Sequence, residues 1–242
     1  MSIPYRIELC GGWMDCDIVN RYCPTRMIVL SIEPDQKYMY RGGLASSTRN
    51  IARALWGDDI PNGDRMVLAR ELHNVELCPT CRFPSGAGDA IGVVVPGCNL
   101  LYFNNGSWPE YRETLADHDT LQFIQDHVFL YPLHPRDPNC HPYFKPRLDY
   151  NTIQATVAAV DLCWCSIQKR DVINLGKAFN NCYDAQAKLF PQIATDETRF
   201  VTSILRGKTY GCKMTGAGGG GYFIIVADEP IEGSIKFTPV GL

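Results

Sequence analysis

The run GCKMTGAGGGGYFIIVAD, from Gly211 to Asp228, constrains the fold more than any other part of the chain. Gly216, Gly218, Gly219, Gly220 and Gly221 crowd together directly before an apolar stretch of strand-forming residues, Tyr222 to Val226. Glycine loses more conformational entropy on folding than any other residue, so such a cluster suits only a place where φ is positive or another group comes very close. An anion or a neighbouring backbone is the default candidate for that group.

Two familiar phosphate loops do not fit. Gly216, Gly218 and Gly221 satisfy G-x-G-x-x-G, but a dinucleotide fingerprint follows a strand and opens a helix, whereas here the glycines precede a strand. Gly207-Lys208-Thr209 suggests a P-loop, yet Thr202 stands where that motif needs its first glycine.

With 242 residues the chain can form one large domain or two modest ones and bury most of its apolar surface. A net charge of -3 without a Lys/Arg cluster argues against a nucleic-acid partner and for a small polar substrate. No apolar run reaches membrane-spanning length, and Met1 to Arg6 lacks the order of a signal peptide, so no membrane partner and a cytoplasmic location are expected. Eleven cysteines, an odd number, then read as reduced thiols that serve mostly as small core hydrophobes. Cys78 and Cys81 have the spacing of half a zinc site or a redox pair, but no second pair completes it.

Along the chain, Ile7 to Leu9 and Met27 to Ile32 read as strands entering an antiparallel sheet, the second ended by Glu33-Pro34. Ser46 to Leu55 reads as a helix capped by Ser46, Ser47 and Thr48, and Arg65 to Leu72 as another. Proline, histidine and aromatic residues fill Tyr131 to Pro146, a composition expected of a junction between domains spanning 1-148 and 149-242. Beyond it, apolar residues at helical spacing predict two long helices through Ile153 to Ile167 and Val172 to Leu189, and a shorter one over Thr198 to Leu205. The strand at Tyr222 and a last strand around Ser234 to Thr238 complete the order. The expected class is α+β, the second half placing its helices on one face of an antiparallel sheet.

Three constellations can carry chemistry. Gly42-Gly43-Leu44-Ala45-Ser46-Ser47-Thr48 leads into a helix and offers free N–H groups, hydroxyls and the positive end of a helix dipole, which together suit an anion. An ordinary capped turn is the bland alternative, but a second glycine-rich loop in the same chain favours a polyphosphate. Asp89 lies among small residues in PSGAGDA, where its carboxylate can face a substrate hydroxyl or form an Asx-type turn. Arg6, on the first strand before Gly11-Gly12-Trp13-Met14-Asp15, is a phosphate partner or one half of a salt bridge.

These segments, taken in order, resemble the GHMP kinases, the group that includes galactokinase, homoserine kinase, mevalonate kinase and phosphomevalonate kinase. PYRIELCGGWMD looks like their first motif, GGLASSTR like the phosphate-binding second and GCKMTGAGGGGY like the third. PSGAGDAIGVVVPGCN is similar to the segment with the catalytic aspartate, especially in the sugar-kinase branch near galactokinase, fucokinase and heptose kinases. The resemblance implies a two-domain fold, ribosomal protein S5-like then ferredoxin-like, with a shortened N-terminal domain, because the span from Asp15 to Gly42 is short.

It further implies ATP and Mg2+ as cofactors and a sugar as substrate. Asp89 becomes the catalytic base or hydroxyl orienter and Arg6 the stabiliser of the transferring phosphoryl group. Gly42, Gly43, Leu44, Ala45, Ser46, Ser47 and Thr48 wrap the ATP phosphates, and Ser47 helps hold magnesium. Gly12, Asp15, Gly216, Gly218 and Gly219 line the substrate side. Gly88 departs from the glutamine usual in the sugar-kinase branch, and no residue clearly matches a further glutamate ligand for magnesium. The leading expectation is a kinase acting on a monosaccharide or sugar phosphate. A non-catalytic sugar or nucleotide sensor on the same fold is the alternative, and a thiol-rich metal or redox protein is a third reading.

Overall fold

The computed structural model describes residues 1–38, 42–77, 86–136 and 146–242. Cys78 and Cys81 lie outside the described residues, as does the middle of the Tyr131 to Pro146 segment.

Strand β1 (Tyr5–Cys10) pairs antiparallel with β2 (Thr25–Ile32), with Tyr5 opposite Ile32. Successive side chains of a strand point to opposite faces, and β2 uses both faces for burial. Met27 and Val29 enter one apolar cluster, and Ile28, Leu30 and Ile32 another. The first cluster is covered by α2 (Ser46–Trp56), α3 (Arg65–Glu76) and α4 (Ala87–Val94). Strands β3 (Cys98–Phe103) and β4 (Tyr111–Leu115), which periodicity did not single out, extend this sheet in the order β1-β2-β3-β4. The short helix α1 (Asp17–Asn20) lies between β1 and β2.

After α5 (His118–His127) comes a second antiparallel sheet of β5 (Val128–Pro132), β6 (Gly211–Met214) and β7 (Tyr222–Val226), in the order β5-β7-β6. It therefore takes one strand from before residue 149 and two from after it. The long helices α6 (Tyr150–Lys169) and α7 (Val172–Leu189) follow the predicted spacing closely, and α8 (Asp196–Arg206) is the expected shorter one. Tyr222, Ile224 and Val226 share a core with Ile7, Leu9, Ile28, Leu30 and Phe179, so both sheets and the long helices close around one apolar interior. Phe223 and Ile225 enter a further cluster with Tyr183, Leu189 and Leu205. The second sheet is thus covered on both faces.

The expected strand around Ser234 to Thr238 does not form. Ile235 makes one bridge to Leu130 and Pro239 one to Ile32. Proline donates no ladder hydrogen bond, and Gly233 at φ 82° turns the chain just before. No helix among the described residues is long and apolar enough to cross a membrane.

Candidate active site

Helix starts distinguish one end of the first sheet from the rest of the molecule. Asp64, Asp117, Asp149, Asp171 and Thr195 each cap the helix that follows, their side-chain oxygens accepting from its first N–H groups. Helices α2 and α4 have no such cap, because their N-cap residues are Ala45 and Gly86. The expected capping by Ser46, Ser47 and Thr48 does not occur: these residues already belong to the helix, so their hydroxyls lie past the capping position. Ala45 holds a left-handed φ of 55°, uncommon for a residue with a side chain. Among the described residues the first N–H groups of α2 have no acceptor, which is the arrangement that suits an anion.

The glycine loop after β6 explains how this segment is held. Gly43 (φ 106°) and Gly216 (φ 72°) meet backbone to backbone, a Cβ on Gly216 falling 2.7 Å from both Cα and O of Gly43. A Cβ on Gly221 would overlap the carbonyl of Gly42. Of the two partners open to the glycine run, the neighbouring backbone is the one observed. Gly218 packs on Ile193 beyond α7, and Gly219 has φ 71°. On its other side the Gly42 to Thr48 segment is tied to β1, where the Arg6 N–H donates to the Leu44 carbonyl over 3.2 Å.

Arg6 is almost fully buried and forms an ion pair through Nη2 with Oδ1 of Asp89, in the first turn of α4. Its path crosses α4 at Gly92, where a Cβ would overlap Arg6 Cγ. Nε and Nη1 of Arg6 are buried and have no hydrogen-bond partner among the described residues. Burial pushes the Arg6 ionisation down, and the carboxylates of Glu8, Asp15 and Glu76 oppose that shift. Asp89 remains partly open to solvent.

Asp15 is buried and supplies from outside the cap that α4 lacks, its Oδ2 accepting from the Gly88 N–H at 3.1 Å. Glycine at 86 permits this contact, since a Cβ there would overlap the Asp15 carboxylate. Burial raises the Asp15 pKa, and the Gly88 N–H works against that rise. Gly12 lies deeper, against the carboxylate of Glu8 and the amide of Gln186, which donates to the Gly12 carbonyl over 2.7 Å. Thr48 is buried and its hydroxyl donates to Oε1 of Glu76 at the end of α3. Ser47 is exposed on the first turn of α2.

The structure therefore brings Arg6, Asp15, Asp89 and the segment Gly42 to Thr48 to one end of the first sheet, with Gly216 against Gly43. Gly12 packs against Glu8 and Gln186, while Gly218 packs on Ile193. Arg49 does not join them: it lies over the Tyr5 ring, 4.4 Å from its centroid, and bonds the Ile3 carbonyl. Glu76, which sequence reasoning passed over, is a buried carboxylate beside Thr48 at the start of α2, and its position at a helix end gave no signal. Among the described residues no three His, Cys, Asp or Glu side chains converge as metal donors. Magnesium is commonly held by only one or two protein donors together with phosphate oxygens and water, and the oxygen donors at the start of α2 are the exposed Ser47 and, through Thr48, Glu76. An open cleft of about 510 Å³ lined by Lys208, Tyr210, Asp228 and Glu229 lies at the opposite end of β6 and contains none of these residues.

No protein-family profile matches the chain, and no curated protein sequence matches it. Solved structures do match its shape. A phosphomevalonate kinase from Streptococcus pneumoniae, in complex with phosphomevalonate and AMPPNP, superposes with a TM-score of 0.66 at 10% identity, over 95% of this chain and 92% of that one. A putative sugar kinase from Campylobacter jejuni gives 0.62 at 15% identity, over 99% and 95%. This is the GHMP kinase fold. Lactococcus lactis galactokinase, complexed with galactose, has it too, at a TM-score of 0.55 and 13% identity over 94% of this chain and 84% of that one. In the GHMP kinase fold of this chain the three motif-like segments, far apart in sequence, meet at one place.

Proposed function

We propose that this protein is an ATP-dependent kinase that transfers the γ-phosphoryl group to a hydroxyl of a monosaccharide or sugar phosphate. The observation that carries the reading is the uncapped start of α2, held by glycine-to-glycine contact and bonded through Leu44 to Arg6, whose side chain pairs with Asp89. In phosphoryl transfer the protein contributes positioning and electrostatic stabilisation more than covalent chemistry. The N–H groups of Ser46, Ser47 and Thr48 hold the ATP phosphates at the positive end of α2. Arg6, buried behind Asp89, stabilises the transferring group through its charge, in a dry setting where a fixed charge acts strongly. Asp89, paired with Arg6, orients the acceptor hydroxyl and accepts its proton. Ser47 and Glu76 are the groups that would hold Mg2+, which when bound neutralises charge on the phosphates.

In this reading residues 1–148 carry the nucleotide side and residues 149–242 support it, with Asp15, Gly12, Gly216, Gly218 and Gly219 bordering the sugar. The test is ADP release from Mg·ATP across a panel of hexoses, heptoses and their phosphates, repeated with Asp89→Asn. A sugar-dependent signal is expected, with kcat of the variant reduced about 100-fold or more and KM little changed. Equal loss in kcat and in substrate affinity would remove Asp89 from its role. No sugar-dependent ADP at all, with nucleotide still bound, would leave a sensor on this fold.

A further inference from the structure

Glu8 and Lys213 form a buried ion pair that the transfer chemistry above does not use. Lys213 Nζ lies 2.9 and 2.8 Å from the two carboxylate oxygens of Glu8, and both side chains are closed to solvent. The same ammonium donates to the carbonyls of Met214 (2.6 Å) and Glu8 (3.4 Å), so all of its bonds go to β1 and β6. Burial raises the Glu8 pKa, and Lys213 counters it.

A buried pair of this kind is poor evidence for stability, because apolar residues of the same volume often hold a core equally well. What it supplies is direction, and Glu8 stands where three loops meet. Its carboxylate packs on Gly12, where a Cβ would lie 2.6 Å from Oε2. Its backbone N–H donates to the Thr215 hydroxyl at 2.9 Å, and that hydroxyl reaches the Gly43 carbonyl at 3.4 Å. Gly11 and Gly12 are gripped from the other side by Cys182 and Gln186 of α7. One residue thereby ties the Gly11 to Asp15 loop, the glycine loop after β6 and the Gly42 to Thr48 segment.

We infer that Glu8 and Lys213 are positioning residues: the ion pair fixes the spacing between the substrate-side loop at Gly11–Asp15 and the phosphate segment at Gly42–Thr48. The role assigned to these loops rests on the kinase reading, and the spacing itself does not. The test is amide hydrogen exchange together with calorimetric titration of Mg·AMPPNP, comparing the intact protein with the double variant Glu8→Gln/Lys213→Met. That variant removes both charges together and leaves no buried ion unpaired.

The expected result is a folded protein whose β2 and β3 amides exchange as before, while those of 11–15 and 42–48 exchange about tenfold faster or more. Affinity for Mg·AMPPNP should fall roughly tenfold as the segment loses its pre-set geometry. Unchanged loop exchange in the folded double variant would overturn the inference, because a merely structural pair can be replaced without loosening the loops. If the double variant does not fold, Thr215→Val decides. It cuts only the Glu8–Thr215–Gly43 link, and should speed exchange in 42–48 while 11–15 keeps its protection; no change in 42–48 would overturn the inference. A parent protein that binds no Mg·AMPPNP would refute the kinase reading, and the exchange data would still decide the positioning role.

Discussion

Replacing Gly216 with alanine separates the two reasons a glycine can be needed. At φ 72°, alanine must adopt a left-handed conformation, which costs an L residue about 1–2 kcal/mol. Its Cβ would also sit 2.7 Å from Cα and O of Gly43, atoms of backbone that is itself tied to Thr215 and cannot swing aside like a side chain. Overpacking of that kind adds about 1–3 kcal/mol, for a total of about 2–5 kcal/mol. In a protein of this size that lowers the thermal midpoint by roughly 4–20 °C.

Gly233→Ala is the control. Its φ of 82° imposes a similar left-handed cost, but the nearest atom to the new Cβ is Tyr131 Cε2 at 3.8 Å, an ordinary contact. Scanning calorimetry of both variants should therefore show the larger drop for Gly216→Ala by about 1–3 kcal/mol. Calorimetric titration should also show weaker Mg·AMPPNP binding for that variant alone, because Gly43 moves with its neighbour. Matching midpoints for the two variants would refute the claim that the glycine loop is shaped by the Gly42–Gly43 backbone.

Three further outcomes follow from the geometry. Burial lowers the His73 pKa from 6.5 to about 4, so the folded protein resists protonation there. Stability from this residue is intact above pH 6.5 and falls as acid charges the unfolded chain first, reaching a loss of about 3 kcal/mol near pH 4. Urea midpoints of the parent and His73→Phe should diverge in slope between those pH values, and parallel curves would contradict the shift. Gly92→Ala should displace Arg6 from Asp89 and cut phosphoryl transfer roughly tenfold or more, although alanine suits a helix better by about 1 kcal/mol. Full activity of that variant would mean that Arg6 can approach Asp89 by another path. Asp15→Ala removes the acceptor for the Gly88 N–H and should cost about 1 kcal/mol in urea denaturation, with Asp15→Asn losing less; equal midpoints for all three proteins would show that Asp15 does not cap α4.

Long amphipathic helices and the strands with clear boundaries were legible in the sequence. Helices α6 and α7 each bury a stripe at regular helical spacing, and β2 is stopped by Glu33-Pro34. The strands β3, β4 and β5 were not, because they draw their definition from partners distant in sequence. Leu101, for example, faces Met27, and Phe129 faces Ile225. At the site, the residue types and order pointed to Arg6, Asp89 and the Gly42 to Thr48 segment. What a single sequence does not display is contact. The docking of Gly216 on Gly43, the capping of α4 by Asp15 from another loop, and the approach of Glu76 to Thr48 all join residues separated by dozens of positions. The pairing of Glu8 with Lys213 spans nearly the whole chain, and neither residue carries a local signature of burial.

The central claim is that the start of α2 binds the phosphates of ATP, and isothermal titration of the purified protein with Mg·AMPPNP measures this directly. Saturable one-to-one binding is predicted, weakened about fivefold or more by Ser47→Ala, since that residue lies in the first turn of α2 and its hydroxyl is assigned to the metal. No binding heat at millimolar nucleotide, in protein that denatures cooperatively and is therefore folded, would contradict the account.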